Sequence, residues 1–263
     1  MTYNFHSHTF RCNHADGTEE EYINRAIENG IKYMGFSDHI PLVFDDGSQS
    51  VHRIDISRGK EYCDYIKKLK EKYKDKITLS VGFEMEYYPK YFDRMYKNAL
   101  AYGAEYLILG QHFLCEENIE FTASVFETKE EKDLEKYVEL VISAMEKGVF
   151  TYVAHPDILN YIGSDEIYKK HMRKICIAST KLNIPLEINF LGIRQKRHYP
   201  NDLFWQVAGE EKSPVTFGFD AHTAVDSYDG KSLEYARKMV KQYNLNYIGK
   251  PKLVFIKKDD EIE

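Results

Sequence analysis

Met1-Thr-Tyr-Asn-Phe-His-Ser-His8 opens the chain with a short apolar, strand-like run that ends in two histidines one residue apart. In an extended strand, residues two apart project to the same side, so His6 and His8 can reach one point beyond the end of the run. An H-x-H pair alone says little; its recurrence along the chain gives it weight. Asp38-His39 follows the run at 33–36, Glu84 the run at 77–83, and Gln111-His112 the run at 106–109. His155 follows the run at 151–154, and Asp220-Ala-His222 the run at 215–219. His14 lies in a short polar loop behind His8, close enough to fold back over the same place. Seven of the ten histidines, with one glutamate and one aspartate, thus stand just past apolar runs.

Between these runs the chain is amphipathic with the period of a helix. Thr18 and Glu21 form a capping box that opens a helix, and Gly30 can end it. Further helices are predicted over 57–73, 93–101, 130–147, 165–181 and 233–243, with a short one over 203–207 after the strand-like run at 185–188. About seven strand–helix units result, which implies a parallel sheet with helices outside. An open doubly wound sheet gathers its ligands at one switch point. A barrel gathers them from every strand end around one mouth, and that is how the polar residues here are distributed. A last run at 252–256 is expected to cover an edge or lie outside the barrel.

The length of 263 residues suits one such barrel, so a single domain over 1–263 is expected. Cys12, Cys63, Cys115 and Cys176 are scattered singly, which reads as free thiols in a reducing compartment. Cys12 and Cys115 lie near candidate ligands, so a thiolate ligand stays open. The chain enters a strand without a secretory leader, and no apolar run is long enough for a bilayer, so a cytoplasmic location is expected. With 36 basic against 42 acidic residues and a net charge of −6, attraction to nucleic acid or an anionic membrane is not expected. A small-molecule partner is. The oligomeric state is not legible.

Each polar residue has an ordinary reading as a satisfied core histidine or an exposed strand-end acid. The set does not. A carboxylate at the end of a buried strand costs several kcal/mol unless paired or metal-bound, so Glu84 calls for a cation. His6, His8, His14, His39, Glu84, His112, His155, Asp220 and His222 exceed the needs of one tetrahedral ion. With Glu84 bridging, they suit two or three divalent ions with positions left open for water and substrate. Nitrogen-rich ligands with carboxylates fit Zn, Mn or Fe.

H-x-H after the first strand, D-H after the second, G-x-E after the third, single histidines after the fourth and fifth, and D-x-H near the end resemble the polymerase and histidinol phosphatase (PHP) superfamily. The resemblance runs from His6 to His222. It implies a distorted TIM-like (β/α)7 barrel of the PHP type and a trinuclear centre. His6, His8, Glu84 and Asp220 would surround one ion, Glu84, His112 and His155 a second, and His14, His39 and His222 a third. His6-Ser-His8-Thr9, Cys12-Asn13-His14, Gln111-His112-Phe113 and Glu187-Ile188-Asn189 are most similar to the histidinol-phosphate phosphatase branch. That branch implies hydrolysis of L-histidinol phosphate to L-histidinol and phosphate, in histidine biosynthesis, by attack of a metal-bridging hydroxide on phosphorus. Another small phosphoester, a 3′–5′ exonuclease activity and a non-enzymatic metal module are the alternatives.

A phosphomonoester also calls for arginine. The sixth strand ends in no metal ligand, but Asn189, Arg194, Arg197, His198 and Tyr199 follow it. Arg197 and Arg194 are the candidate phosphate clamp, with Asn189 and Gln111 as further substrate contacts. Arg11 and Arg53 are weaker candidates. His52 reads as a surface or pocket-lining residue and His171 as structural.

Overall fold

All seven expected runs form strands, and they lie side by side in chain order. The computed structural model describes residues 1–120 and 122–257. Strands β1 (Tyr3–Asn4), β2 (Tyr33–His39), β3 (Thr78–Met85), β4 (Tyr106–Leu109), β5 (Phe150–Val153), β6 (Leu186–Asn189), β7 (Pro214–Gly218) and β8 (Asn246–Tyr247) make one parallel sheet in that order. Helices α1 (Glu19–Glu28), α2 (Gly59–Tyr73), α3 (Phe92–Tyr102), α4 (Glu131–Met145), α5 (Asp165–Leu182), α6 (Phe190–Gln195), α7 (Asp202–Glu210) and α8 (Gly230–Gln242) supply the connections. The Thr18–Glu21 capping box is present at the start of α1. No helix among the described residues is long and apolar enough to cross a membrane.

The strands read as continuous apolar runs because both faces are covered. Along β3, Leu79, Val81, Phe83 and Met85 join the main core, while Ser80, Gly82 and Glu84 alternate with them. A separate buried cluster is built from Tyr3, Phe5, Tyr106, Ile108, Tyr152 and Ala154. On β2 and β3 the alternate parity runs on to His39 and Glu84, whereas His6, His8 and His155 reach the same end after β1 and β5 have left regular strand.

The barrel is distorted where its ends meet. Beyond their named limits, the β1 and β7 segments pair through a parallel bridge between Ser7 and Ala221, with the His8 amide donating to the Ala221 carbonyl at 2.9 Å. Lower down, side chains of β1 replace backbone pairing: Asn4 Oδ1 accepts from the Phe219 amide at 3.0 Å. There β7 pairs instead with β8, Val215 opposite Tyr247. This eighth strand is an addition to the expected seven. It is two exposed residues long and carries no apolar run to betray it. Helix α6 was likewise not expected; six residues are too few to show a helical period. The run at 252–256 crosses the opposite pole, where Phe255 bridges antiparallel to Tyr106 and the Ile256 amide donates to the Glu105 carbonyl.

Candidate metal centre

The turn from strand to loop sets each ligand. His39 and Glu84 are register partners on β2 and β3, so they are cross-strand neighbours. His155 and Asp220 follow β5 and β7 with φ of 31° and 47°, in the left-handed region that ordinary residues avoid. Strain of that kind persists where surrounding structure imposes it, and it collects at functional sites.

Four ligand atoms converge. His8 Nε2 lies 3.2 Å from Asp220 Oδ1 and 3.4 Å from Glu84 Oε2, while His6 Nε2 lies 3.4 Å from Glu84 Oε2 and 3.5 Å from Asp220 Oδ1. All four atoms are buried and without a hydrogen-bond partner. Ligands about 2.0–2.1 Å from one tetrahedral ion stand about 3.3 Å from each other. The donor set therefore fits a divalent cation.

Glu84 also faces a second group. Its Oε1 lies 2.9 Å from His155 Nε2 and 3.5 Å from His112 Nε2, and its Oε2 is 3.5 Å from His39 Nδ1. Ligand atoms of His8, His39 and His222 form a further cluster. His14 closes this side from the surface, its ring 5.0 Å from that of His222 and 5.3 Å from that of His39. The Cys12 carbonyl lies 2.7 Å from His14 Nδ1, leaving Nε2 as the atom available to a metal. The structure thus brings all the expected ligands to one mouth. Cys12 lies with Asp38 behind His8, and Cys115 bonds to its own loop.

Carboxylates stand behind three of the histidines. Glu187 Oε1 is 2.9 Å from His6 Nδ1, Glu86 Oε1 is 2.8 Å from His112 Nδ1, and Asp38 Oδ1 is 3.6 Å from His8 Nδ1. Glu187 and Glu86 are within hydrogen-bond distance, so they aim the Nε2 of His6 and His112 toward the cluster and raise its basicity; Asp38 faces His8 only as a nearby charge, its oxygens bonded to Thr9 and the His39 amide. Two glycines make room. A Cβ on Gly110 would lie 2.0 Å from Glu84 Oε1, and one on Gly218 would lie 1.6 Å from Glu187 Oε1. Sequence reading missed the roles of Glu187 and Glu86, although their parity with Asn189 and Glu84 was visible.

The electrostatics suit a cation. Burial opposes charge on His6 and His8, yet Asp220 and the carboxylates behind the rings carry both pKa values well above the ordinary histidine value. Burial likewise opposes ionisation of Glu84 and Asp220, but the surrounding histidines hold both well below the usual carboxylate range. Burial pushes His39 well down and takes His222 down to about 3. The ionised carboxylates and the neutral imidazoles of His39 and His222 are ready for a metal, whereas His6 and His8 would give up protons to bind one.

The cluster opens into a cavity of about 360 Å³ whose wall includes Arg53, Phe113, Glu117, Ile158, Arg197 and Tyr199. Arg197 donates through Nη1 to Tyr199 Oη and through Nε to Gln195 Oε1, both at 2.9 Å. The other expected substrate contacts lie elsewhere. Arg194 donates to the carbonyls of Phe219 and Asp220, each at 3.1 Å, and pairs with Asp226 at 3.0 Å, which braces the strained Asp220 turn. Asn189 caps α6 and donates 3.0 Å hydrogen bonds to Glu187 and Asp220. Gln111 accepts from the Tyr87 amide and donates to the Phe113 carbonyl. None of these three lines the cavity, because backbone groups and carboxylates already take their polar atoms. Arg53 and His52 do line it; Arg11 is held by Glu19 and Glu61, and His171 by Glu131.

Comparison with known proteins agrees with this geometry. The PHP domain family model matches residues 4–190. A probable histidinol-phosphatase of Deinococcus radiodurans is 26% identical over 82% of this chain and 85% of its own. A histidinol-phosphatase of Bacillus subtilis is 25% identical over 84% of this chain and 93% of its own. Among solved structures, histidinol phosphate phosphatase from Lactococcus lactis, complexed with zinc, L-histidinol and phosphate, superposes with a TM-score of 0.71 at 18% identity, covering 94% of this chain and 95% of that one.

Proposed function

Because this chain belongs to the PHP domain family and gathers unpartnered buried ligand atoms at tetrahedral spacing, we propose that it is a metal-dependent phosphomonoesterase that hydrolyses L-histidinol phosphate to L-histidinol and phosphate. The observation that carries the reading is the convergence of His6, His8, Glu84 and Asp220 beside a cavity that also holds Arg197. The zinc, L-histidinol and phosphate of the Lactococcus lactis structure, and the names of the two relatives, support the metal and the substrate.

His6, His8, Glu84 and Asp220 would hold one ion, and Glu84 would share its second oxygen with an ion held by His112 and His155. His14, His39 and His222 would hold a third. Divalent ions held there would supply positive charge toward a phosphate dianion and make a nucleophile of water, the attacking hydroxide of the proposed reaction. The chain's own residues do the rest. Glu187 and Glu86 keep His6 and His112 in register. Arg197, steadied by Tyr199, donates its planar fork to phosphate oxygens. The apolar cavity wall excludes water from the organic half of the substrate.

The test is phosphate release from L-histidinol phosphate, set against nucleotide and sugar phosphates and single-stranded DNA, with Mn²⁺ or Zn²⁺ supplied. Preference for histidinol phosphate is expected. Preference for another monoester would overturn the substrate, and no hydrolysis of any of them would overturn the activity.

A further inference from the structure

Two charged sectors face the cavity. One is the ligand cluster with Arg197, whose hydrogen-bond partners among the described residues are the neutral Gln195 and Tyr199. The other lies beside His112, where Arg53 is shared between two carboxylates. Arg53 is 3% exposed; it donates through Nη2 to Glu86 and through Nε, at 2.9 Å, to Glu117. One guanidinium against two carboxylates leaves a negative charge in surplus. Glu86 turns its other oxygen to His112, while Glu117 meets Arg53 and Tyr88 through Oε1 and lines the cavity.

Glu117 is held for use. Its Oε1 accepts from Arg53 and from Tyr88 Oη, the latter at 3.2 Å, and its side chain is 6% exposed in the cavity wall. Partly desolvated charge of this kind is costly unless a ligand completes it. Phe113, Val125 and Ile158 supply an apolar wall in the same cavity.

We infer that Glu117 is a specificity-determining residue that accepts an ammonium group on the substrate's leaving alcohol. The site then selects bipolar phosphomonoesters, with the phosphate on the metal cluster and Arg197 and a cation on Glu117. Neutral and acidic monoesters are disfavoured. The inference rests on the phosphomonoesterase reading above and deepens it.

The test is an enzyme–substrate cycle: kcat/KM for L-histidinol phosphate and for its amine-free analogue, 3-(imidazol-4-yl)propyl phosphate, in the wild type and in Glu117→Gln. Loss of the amine is expected to cost the wild type about tenfold or more, as for a hydrogen bond to a charged group. In Glu117→Gln that cost should shrink to about threefold or less, because the two changes remove one interaction. The same cost in both proteins would overturn the inference. So would a wild type indifferent to the amine, which requires no variant. Failure to release phosphate from any monoester would overturn the proposed activity and this inference with it.

Discussion

Glu187 Oε1 stands 2.9 Å from His6 Nδ1, and both side chains are fully buried. The same carboxylate accepts from the His155 amide at 3.1 Å, so one residue on β6 orients ligands from β1 and β5. A carboxylate placed behind a histidine fixes the tautomer and strengthens the donor on the metal side. Glu187→Gln keeps the shape and removes the charge. It should weaken metal retention by about 10–100-fold in chelator competition, with an unchanged far-ultraviolet spectrum. Unchanged retention would reduce the pair to packing.

Loading the centre should release protons. His6 and His8 have pKa values raised well above the ordinary one, so the metal-free protein keeps protons on them near neutral pH, and His112 is shifted in the same direction. Those protons must leave before the rings coordinate, and metal affinity therefore falls as the pH falls. His14, His39 and His222 are shifted downward, are already neutral at about pH 7, and add nothing. Calorimetry of Zn²⁺ binding in buffers of different ionisation enthalpy measures this. Net uptake, or no exchange, would contradict it.

The two arginines after β6 should part company on substitution. Arg197→Ala is expected to lower kcat/KM by about 10–100-fold with metal content unchanged, the loss of charged hydrogen bonds to phosphate. Arg194→Ala removes donors from the Phe219 and Asp220 carbonyls beside a left-handed residue. It should cost about 1–3 kcal/mol of stability and loosen metal through Asp220. Denaturant melts and metal analysis of both variants separate the roles.

Much of this was legible before any coordinates. The placement of His6, His8, Glu84, His155 and Asp220 past apolar runs is a local pattern, and it leads directly to a barrel mouth. The partners of charged side chains are not local. Arg194 and Asp229 meet because β6 and β7 are neighbours, and Glu187 and His6 because the sheet curls back to β1. A basic loop in an acidic chain therefore reads as a phosphate clamp although half of it is a brace. The eighth strand and α6 escaped because neither is long enough to carry a period.

Thiol chemistry offers a check on packing. Burial pushes the Cys63 thiol up to about 12 and raises those of Cys12 and Cys176. Cys115 alone is half-buried on a loop. The native protein should react with a thiol reagent at one cysteine, and at all four once denatured. Fast labelling of more than one native thiol would contradict the packing around β1 and the helices.

The central claim is that the ring of histidines with Glu84 and Asp220 is a multinuclear metal centre that performs phosphate ester hydrolysis. Its most direct test is stepwise metal addition to chelator-stripped protein, with bound Mn²⁺ or Zn²⁺ and phosphate release from L-histidinol phosphate followed together. Activity should be absent at first, rise only once more than one ion is bound per chain, and fail to rise in Glu84→Ala. Full activity in the stripped protein, or in Glu84→Ala at any metal level, would contradict the account.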